Sequence, residues 1–158
     1  MANMKLQIKG VEALKERLNK KKELFVASLG TDLMQLGEAA VTHAKNNKGY
    51  QDRTGNLKNS ISYALFLDGE LVQSVIGDIP HPEKTEEGQE GVEEALTAFA
   101  GQSGFVASKG YTIIVVAGMN YGKHVEDKGY NVLHLTKYFL RDEMVEIFNE
   151  AIKRINES

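Results

Sequence analysis

The chain has 158 residues, 42% hydrophobic and 26% charged, and no cysteine, so the length points to one domain and the missing thiols exclude disulfides, thiol catalysis and thiolate-held zinc or iron–sulfur centres. A net charge of −3 and a pI near 5.8 argue against bulk nucleic-acid binding. The start, "MANMKLQIKG", has no apolar signal core, and no stretch approaches the roughly 18 apolar residues of a membrane span, so we expect a chain made and used, or assembled, in a cytoplasm, without membrane contact.

Along the chain, an apolar stripe begins after Gly10: Val11, Leu14, Leu18, then Phe25, Leu29, Leu33, Leu36, Ala40 and Ala44. Steps of three and four mark one face of an amphipathic helix. Lys20 to Lys22 stand where the next member should fall. A helix from 11 to 46 would run about 54 Å at 1.5 Å per residue, longer than a domain of this size is wide. Either the helix breaks near 20–23, which is our expectation, or it projects and packs on another subunit. "KNNKG" (45–49) closes it with bases and with residues tolerant of left-handed backbone.

From Leu57 the period changes to alternation, Leu57, Asn59, Ile61, Tyr63, Leu65 and Leu67, which predicts a strand. "DGE" (68–70) predicts a hairpin, with "LVQSVIGDI" returning as the partner strand. Residues 79–110 hold both prolines and five of the fifteen glycines, and read as a long acidic insertion with one short helix near 91–100. "YTIIVVAGM" (111–119) predicts a buried strand, and "NYGKHVEDKGYNVL" a loop or bent strand. Thr136 is placed to cap a last helix running to about Ile155. The sum is a single α+β domain over 1–158: N-terminal helices, an antiparallel sheet with a long β-hairpin, and a C-terminal helix packed on one face.

Charge is uneven. Residues 1–25 hold Lys5, Lys9, Lys15, Arg17 and Lys20 to Lys22 against three glutamates, while residues 83–94 hold six glutamates against Lys84. Two solvated faces account for this, and so do two surfaces that meet neighbouring copies with complementary charge.

Catalytic chemistry finds little support. His124 and Glu126 are two apart, with His134 nearby, but a metal site needs three or four placed ligands, and His43 and His81 lie elsewhere in the chain. Ser60, Ser62 and Ser74 lack the flanking glycines of a nucleophile elbow, and "GQSGFVASKG" lacks phosphate-loop spacing. We therefore expect no enzyme, no cofactor and no metal. The basic segments have no interleaved aromatics to stack on bases, which leaves room only for a weak DNA contact.

"QDRTGNLKNSI" (51–61) is a polar corner. Asp52 or Thr54 suits the free N–H groups of a tight turn, Gly55 suits positive φ, and Arg53 projects a fork of donors. The pattern formed by Arg53, Thr54, Gly55, Leu57, Ser60 and Ile61 is followed, after the hairpin, by Tyr121, Val125, Glu126 and Gly129. This ordered pair of motifs resembles the tailed-phage neck proteins of the gene-product-ten-like family, known as minor tail, head–tail joining or tail-completion proteins. The likeness covers most of the chain outside 79–110. It departs from the family pattern in having no proline before the first motif, in the Asp127-Lys128 pair that stretches the second, and in the long acidic insertion. The resemblance implies a virion structural protein forming a homo-oligomeric ring, a hexamer in this family, at the head-proximal end of the tail. It implies partners in the head connector or stopper and in the tail tube or terminator, weak DNA contact in the lumen, and the ten motif residues as a candidate subunit interface. A tail terminator or other minor tail protein is the alternative within that class, and a phage-encoded nucleic-acid-binding or processing protein the alternative outside it.

Overall fold

The computed structural model describes residues 10–102 and 104–157, so Lys5 and Lys9 of the basic end lie outside it. The chain runs α1 (Val11–Asn46), α2 (Asn56–Asn59), β1 (Ile61–Leu67), β2 (Glu70–Val75), a 3-10 turn (Pro82–Lys84), α3 (Gly88–Gly101), β3 (Tyr111–Ala117), α4 (Gly122–Asp127) and α5 (His134–Glu157). The three strands form one antiparallel sheet in the order β2-β1-β3. The α+β class and the hairpin match the expectation. Asp68 and Gly69 both take positive φ, the two-residue turn whose twist suits a hairpin. The β1–β2 register shifts between Leu65 and Phe66, leaving Val72 as the extra residue of a bulge.

β1 is the central strand, and six of its seven residues are buried. Its two faces meet different helices. Leu65 packs with Leu29, Leu33, Leu36 and Ala151, while Ile61 and Tyr63 pack with Val41 and Ala44, so α1 and α5 cover one face. Ala64 and Phe66 pack with Ile114, Val116 and Leu96, so α3 covers the other. Gly37 lets the Tyr63 ring lie against α1, and the Tyr63 hydroxyl donates to the Met34 carbonyl at 3.3 Å. α5 runs antiparallel to α1. His43 stacks on Phe139 at 4.5 Å with its Nδ1 3.1 Å from the Thr136 hydroxyl, and Arg154 pairs with Asp32 at the other end.

Six expectations are corrected. The strand at 111–117 lies at the edge of the sheet and is not a buried strand, since only Ile114 and Val116 are covered. α1 is continuous: Lys20 to Lys22 do not break it, because lysine is a good helix former and a solvated turn needs no apolar residue. Its first half instead projects, and every residue from Val11 to Leu24 is exposed. The strand begins at Ile61, since residues 56–59 close a helical turn whose N–H groups are held by Asp52 and Thr54. The helix within 79–110 begins at Gly88, and it lies on the sheet as a layer of the core, with Val92 and Leu96 buried. Residues 122–127 are helical where a loop or bent strand is expected. α5 begins at His134, ahead of Thr136, which is buried against His43 and caps nothing.

This layering separates two leucines of one stripe. Leu33→Ala should cost about 2–5 kcal/mol of unfolding free energy, because it opens a cavity under the central strand. Leu18→Ala should change the stability of dilute protein by no more than about 0.5 kcal/mol. Urea titration of the two variants checks this.

Candidate functional site

The corner at 51–61 is held by Asp52. Its carboxylate accepts the Gly55 N–H on Oδ1 and the Lys58 N–H on Oδ2, both at 2.8 Å. The Thr54 hydroxyl accepts the Asn56 N–H at 3.2 Å. Gly55 has φ +79°, a backbone that other residues adopt only with strain. Fully buried Asn56 clamps the backbone of His81: its Nδ2 donates to the His81 carbonyl at 2.6 Å, and the His81 N–H donates to Oδ1 at 3.0 Å. Ser60 donates to the Leu57 carbonyl at 2.9 Å, and Ser62 accepts the Gly77 N–H at 2.8 Å. Both serines are fully buried with their hydroxyls engaged, so neither is presented as a nucleophile.

The second motif is a cap. Glu126, on α4, accepts N–H groups from Val132 at 3.1 Å, Leu133 at 2.8 Å and His134 at 3.1 Å, at the start of α5. A carboxylate there satisfies free donors and meets the positive end of the helix dipole. Asn131 adds a side-chain acceptor for the Leu135 N–H at 2.8 Å, and its amide donates to the Asn47 carbonyl, which ties the end of α1 to the start of α5. Gly129, at φ +83°, ends α4 and lets the chain return to be capped.

The fold brings half of the ten motif residues together. Arg53, Thr54, Leu57, Tyr121 and Val125 line one small pocket of about 230 Å³, with Tyr50 and Asp52. Leu57 and Val125 share a cluster with Val92, Met119 and Val132. Ile61 points away, into the cluster under α1, and Ser60 lies buried beneath the turn. Arg53 is exposed and makes no hydrogen bond or ion pair among the described residues. Asp52, Asn56 and Asn131 escape the list of motif residues read from the sequence. For Asp52 and Asn131 the signal that could have found them is an Asp or Asn standing three or four residues before a helical turn; Asn56 opens its turn and binds the distant His81 backbone, for which no local signal exists.

Burial dominates the electrostatics. The Tyr121 phenol is raised by desolvation and then by the Asp52 carboxylate, while a hydrogen bond with Thr54 pulls the other way. Tyr50 is raised by burial, then by Asp52, Tyr121 and Glu126. Lys45 is lowered by burial and then by Lys58. Among the described residues no three His, Asp or Glu side chains converge to hold a metal ion, and no helix is long and apolar enough to cross a membrane. His81 pairs with Glu83, His134 sits edge-on to Tyr138, and His43 is used in the helix pair. The arrangement positions backbone and surface; where a histidine does meet a hydroxyl, at His43 and Thr136, the hydroxyl is buried between α1 and α5.

Comparison of the chain with protein-family models, with curated proteins and with solved structures returned no match.

Two outcomes follow. Glu126→Ala should lower stability by about 1–3 kcal/mol, because three N–H groups, two of them part-buried, lose their acceptor. It should also speed amide exchange at Val132, Leu133 and His134 before the rest of α5 is affected. Second, Tyr50, Tyr63, Tyr111 and Tyr121 all have phenols raised from 10.0, with burial the first cause in each. A phenol raised in the fold ionises first in the unfolded chain. Stability is therefore whole below about pH 10 and is lost as pH rises above it. Lys45 works in the opposite direction, since losing its proton removes a desolvated charge, but it is one group against four. The urea midpoint should fall steadily from about pH 10 upward, and a flat midpoint there would contradict this account.

Proposed function

We propose that the chain is a ring-forming structural subunit of a tailed-phage neck, a tail-completion or head–tail joining protein that connects the tail tube to the head connector. The observation that carries self-assembly is the first half of α1. Val11, Leu14 and Leu18 are 48%, 57% and 58% exposed along one stripe of a helix that extends beyond the body of the subunit. An isolated helix of that length is marginal in water, and a stripe of exposed leucines is stabilised by a partner surface. A basic projecting helix and an acidic α3 give the subunit two unlike faces, the requirement for a head-to-tail interface that closes into a ring. Placement in a virion neck rests on the resemblance of the two motifs, and the meeting of Thr54, Leu57, Tyr121 and Val125 in one pocket supports treating them as one feature. Exposed Arg53 is the member best placed to contact a neighbouring protein.

Native mass spectrometry of the full chain should show one discrete closed oligomer. Leu14→Ser with Leu18→Ser should shift it toward monomer without moving the urea midpoint of the dilute protein. A full chain that stays monomeric at every concentration, together with joined virions after deletion of its gene, would falsify the proposal.

A further inference from the structure

β3 has an open edge. The Gly118 N–H donates to the Ser60 carbonyl at 3.1 Å, and the Asp68 N–H donates to the Gly110 carbonyl at 3.0 Å. In an antiparallel ladder these bonds set which residues point at the partner strand. The even-numbered residues of β3 therefore face β1, and Tyr111, Ile113, Val115 and Ala117 turn their N–H and C=O groups outward. Among the described residues these outward groups have no backbone partner.

The edge is also flanked. A cavity of about 1000 Å³ runs along it, bounded by α3 on one face of the sheet and by α4 and the start of α5 on the other. Ala95, Phe99, Val132 and Leu133 make its walls apolar. Along α3, Glu87 and Glu94 line it and Glu90 and Glu93 continue the acidic rim outside, whereas Lys123, paired with Asp127, and Lys137 line the opposite side; one buried carboxylate oxygen of Glu87 has no hydrogen-bond partner among the described residues. A sheet edge lying in an apolar, acid-rimmed channel suits an added strand that carries both apolar and basic side chains.

We infer that this groove receives residues 3–9 of a second copy of the chain, added to β3 as a fourth strand; the inference rests on the ring-subunit proposal and names the contact that closes the ring. That segment alternates Met4, Leu6 and Ile8 with Lys5, Gln7 and Lys9, the period of a strand with one apolar and one basic face. The exposed edge of β2 is a poorer match, because Glu70 and Asp78 bracket it and would meet an acidic rim. The segment of the same chain does not span the groove. Ala117, at the far end of the edge, packs in the cluster of Val41 and Ala44. Those residues lie about 46 Å or more along α1 from Gly10 at 1.5 Å per residue. Nine extended residues reach only about 30 Å. The projecting half of α1 ends at Gly10, too far from the far end of its own groove, so in this assignment the strand comes from the next subunit.

The test compares the full chain with a variant lacking residues 1–9, by native mass and by residue-resolved hydrogen exchange. Expected is an assembled full chain with slow amides at Ile113, Val115 and Ala117. In the deletion variant those three should become fast while Thr112, Ile114 and Val116 stay slow, and assembly should weaken by about tenfold or more. A full-length variant carrying Lys5→Glu and Lys9→Glu should weaken assembly likewise, with partial recovery when Glu87→Lys and Glu94→Lys are added. If the deletion variant assembles as well as the full chain and the outward amides are equally fast in both, the groove assignment is overturned while the ring proposal stands. A full chain that never assembles overturns both. Outward amides that are slow in the monomer at any dilution overturn the second-copy assignment.

Discussion

Everything else in this protein is arranged around the need to cover β1 on both faces. A central strand with six buried residues out of seven must have apolar layers above and below it, and neither layer alone would make a core. The second half of α1, paired with α5, supplies one layer, and α3 supplies the other. That requirement explains why the acidic segment 79–110 contains a helix with two buried aliphatic residues, and why β3 reads as a near-continuous apolar run although it lies at an edge. It also explains the division of α1: only the part lying over the sheet is buried, and the remainder is left to project.

The two polar motifs serve that arrangement by making its corners rigid. Asp52 and Glu126 are each a carboxylate that gathers backbone N–H groups, two for Asp52 and three for Glu126. Each fixes the direction in which the chain leaves one layer and enters the next. Asn56 and Asn131 add cross-links to distant backbone, at His81 and at Asn47. Because the two corners share a pocket and a cluster around Leu57 and Val125, the exit of α1 and the entry of α5 are set by one structural unit. In the proposed ring, such a unit would hold the projecting helix and the sheet edge at a constant angle to each other.

The likeness of the motifs to neck proteins and the assembly surfaces of the fold are separate supports, and they bear on different parts of the proposal. The exposed leucines of α1, the acidic α3 and the open edge of β3 argue for association between copies of this chain. The motif pair argues for where in a virion such an assembly would sit. The buried serines are spent on backbone, and the histidines lie in separate parts of the fold.

Local signals were enough for the period of α1, the two-residue hairpin at Asp68 and Gly69, the presence of a strand at 111–117 though not its place at the sheet edge, and the turn chemistry of Asp52, Thr54 and Gly55. Each depends on residues within a few positions of one another, where side-chain spacing and backbone preference act directly. The structure decided three points that local pattern left open: Lys20 to Lys22 continue the helix on lysine's own propensity, residues 56–59 close a turn before the strand begins, and Glu126 caps a helix starting several residues away. The tertiary structure alone decided that Thr136 faces His43 and caps nothing, and that 79–110 contributes a layer of the core. These last two outcomes turn on contacts between segments distant in sequence, whereas an alternation such as Leu57, Asn59, Ile61 is equally compatible with a helical turn leading into a strand. The sequence determined which stretches could be helix or strand; packing on β1 determined which of their faces were buried, and left the first half of α1 and the outer edge of β3 without cover.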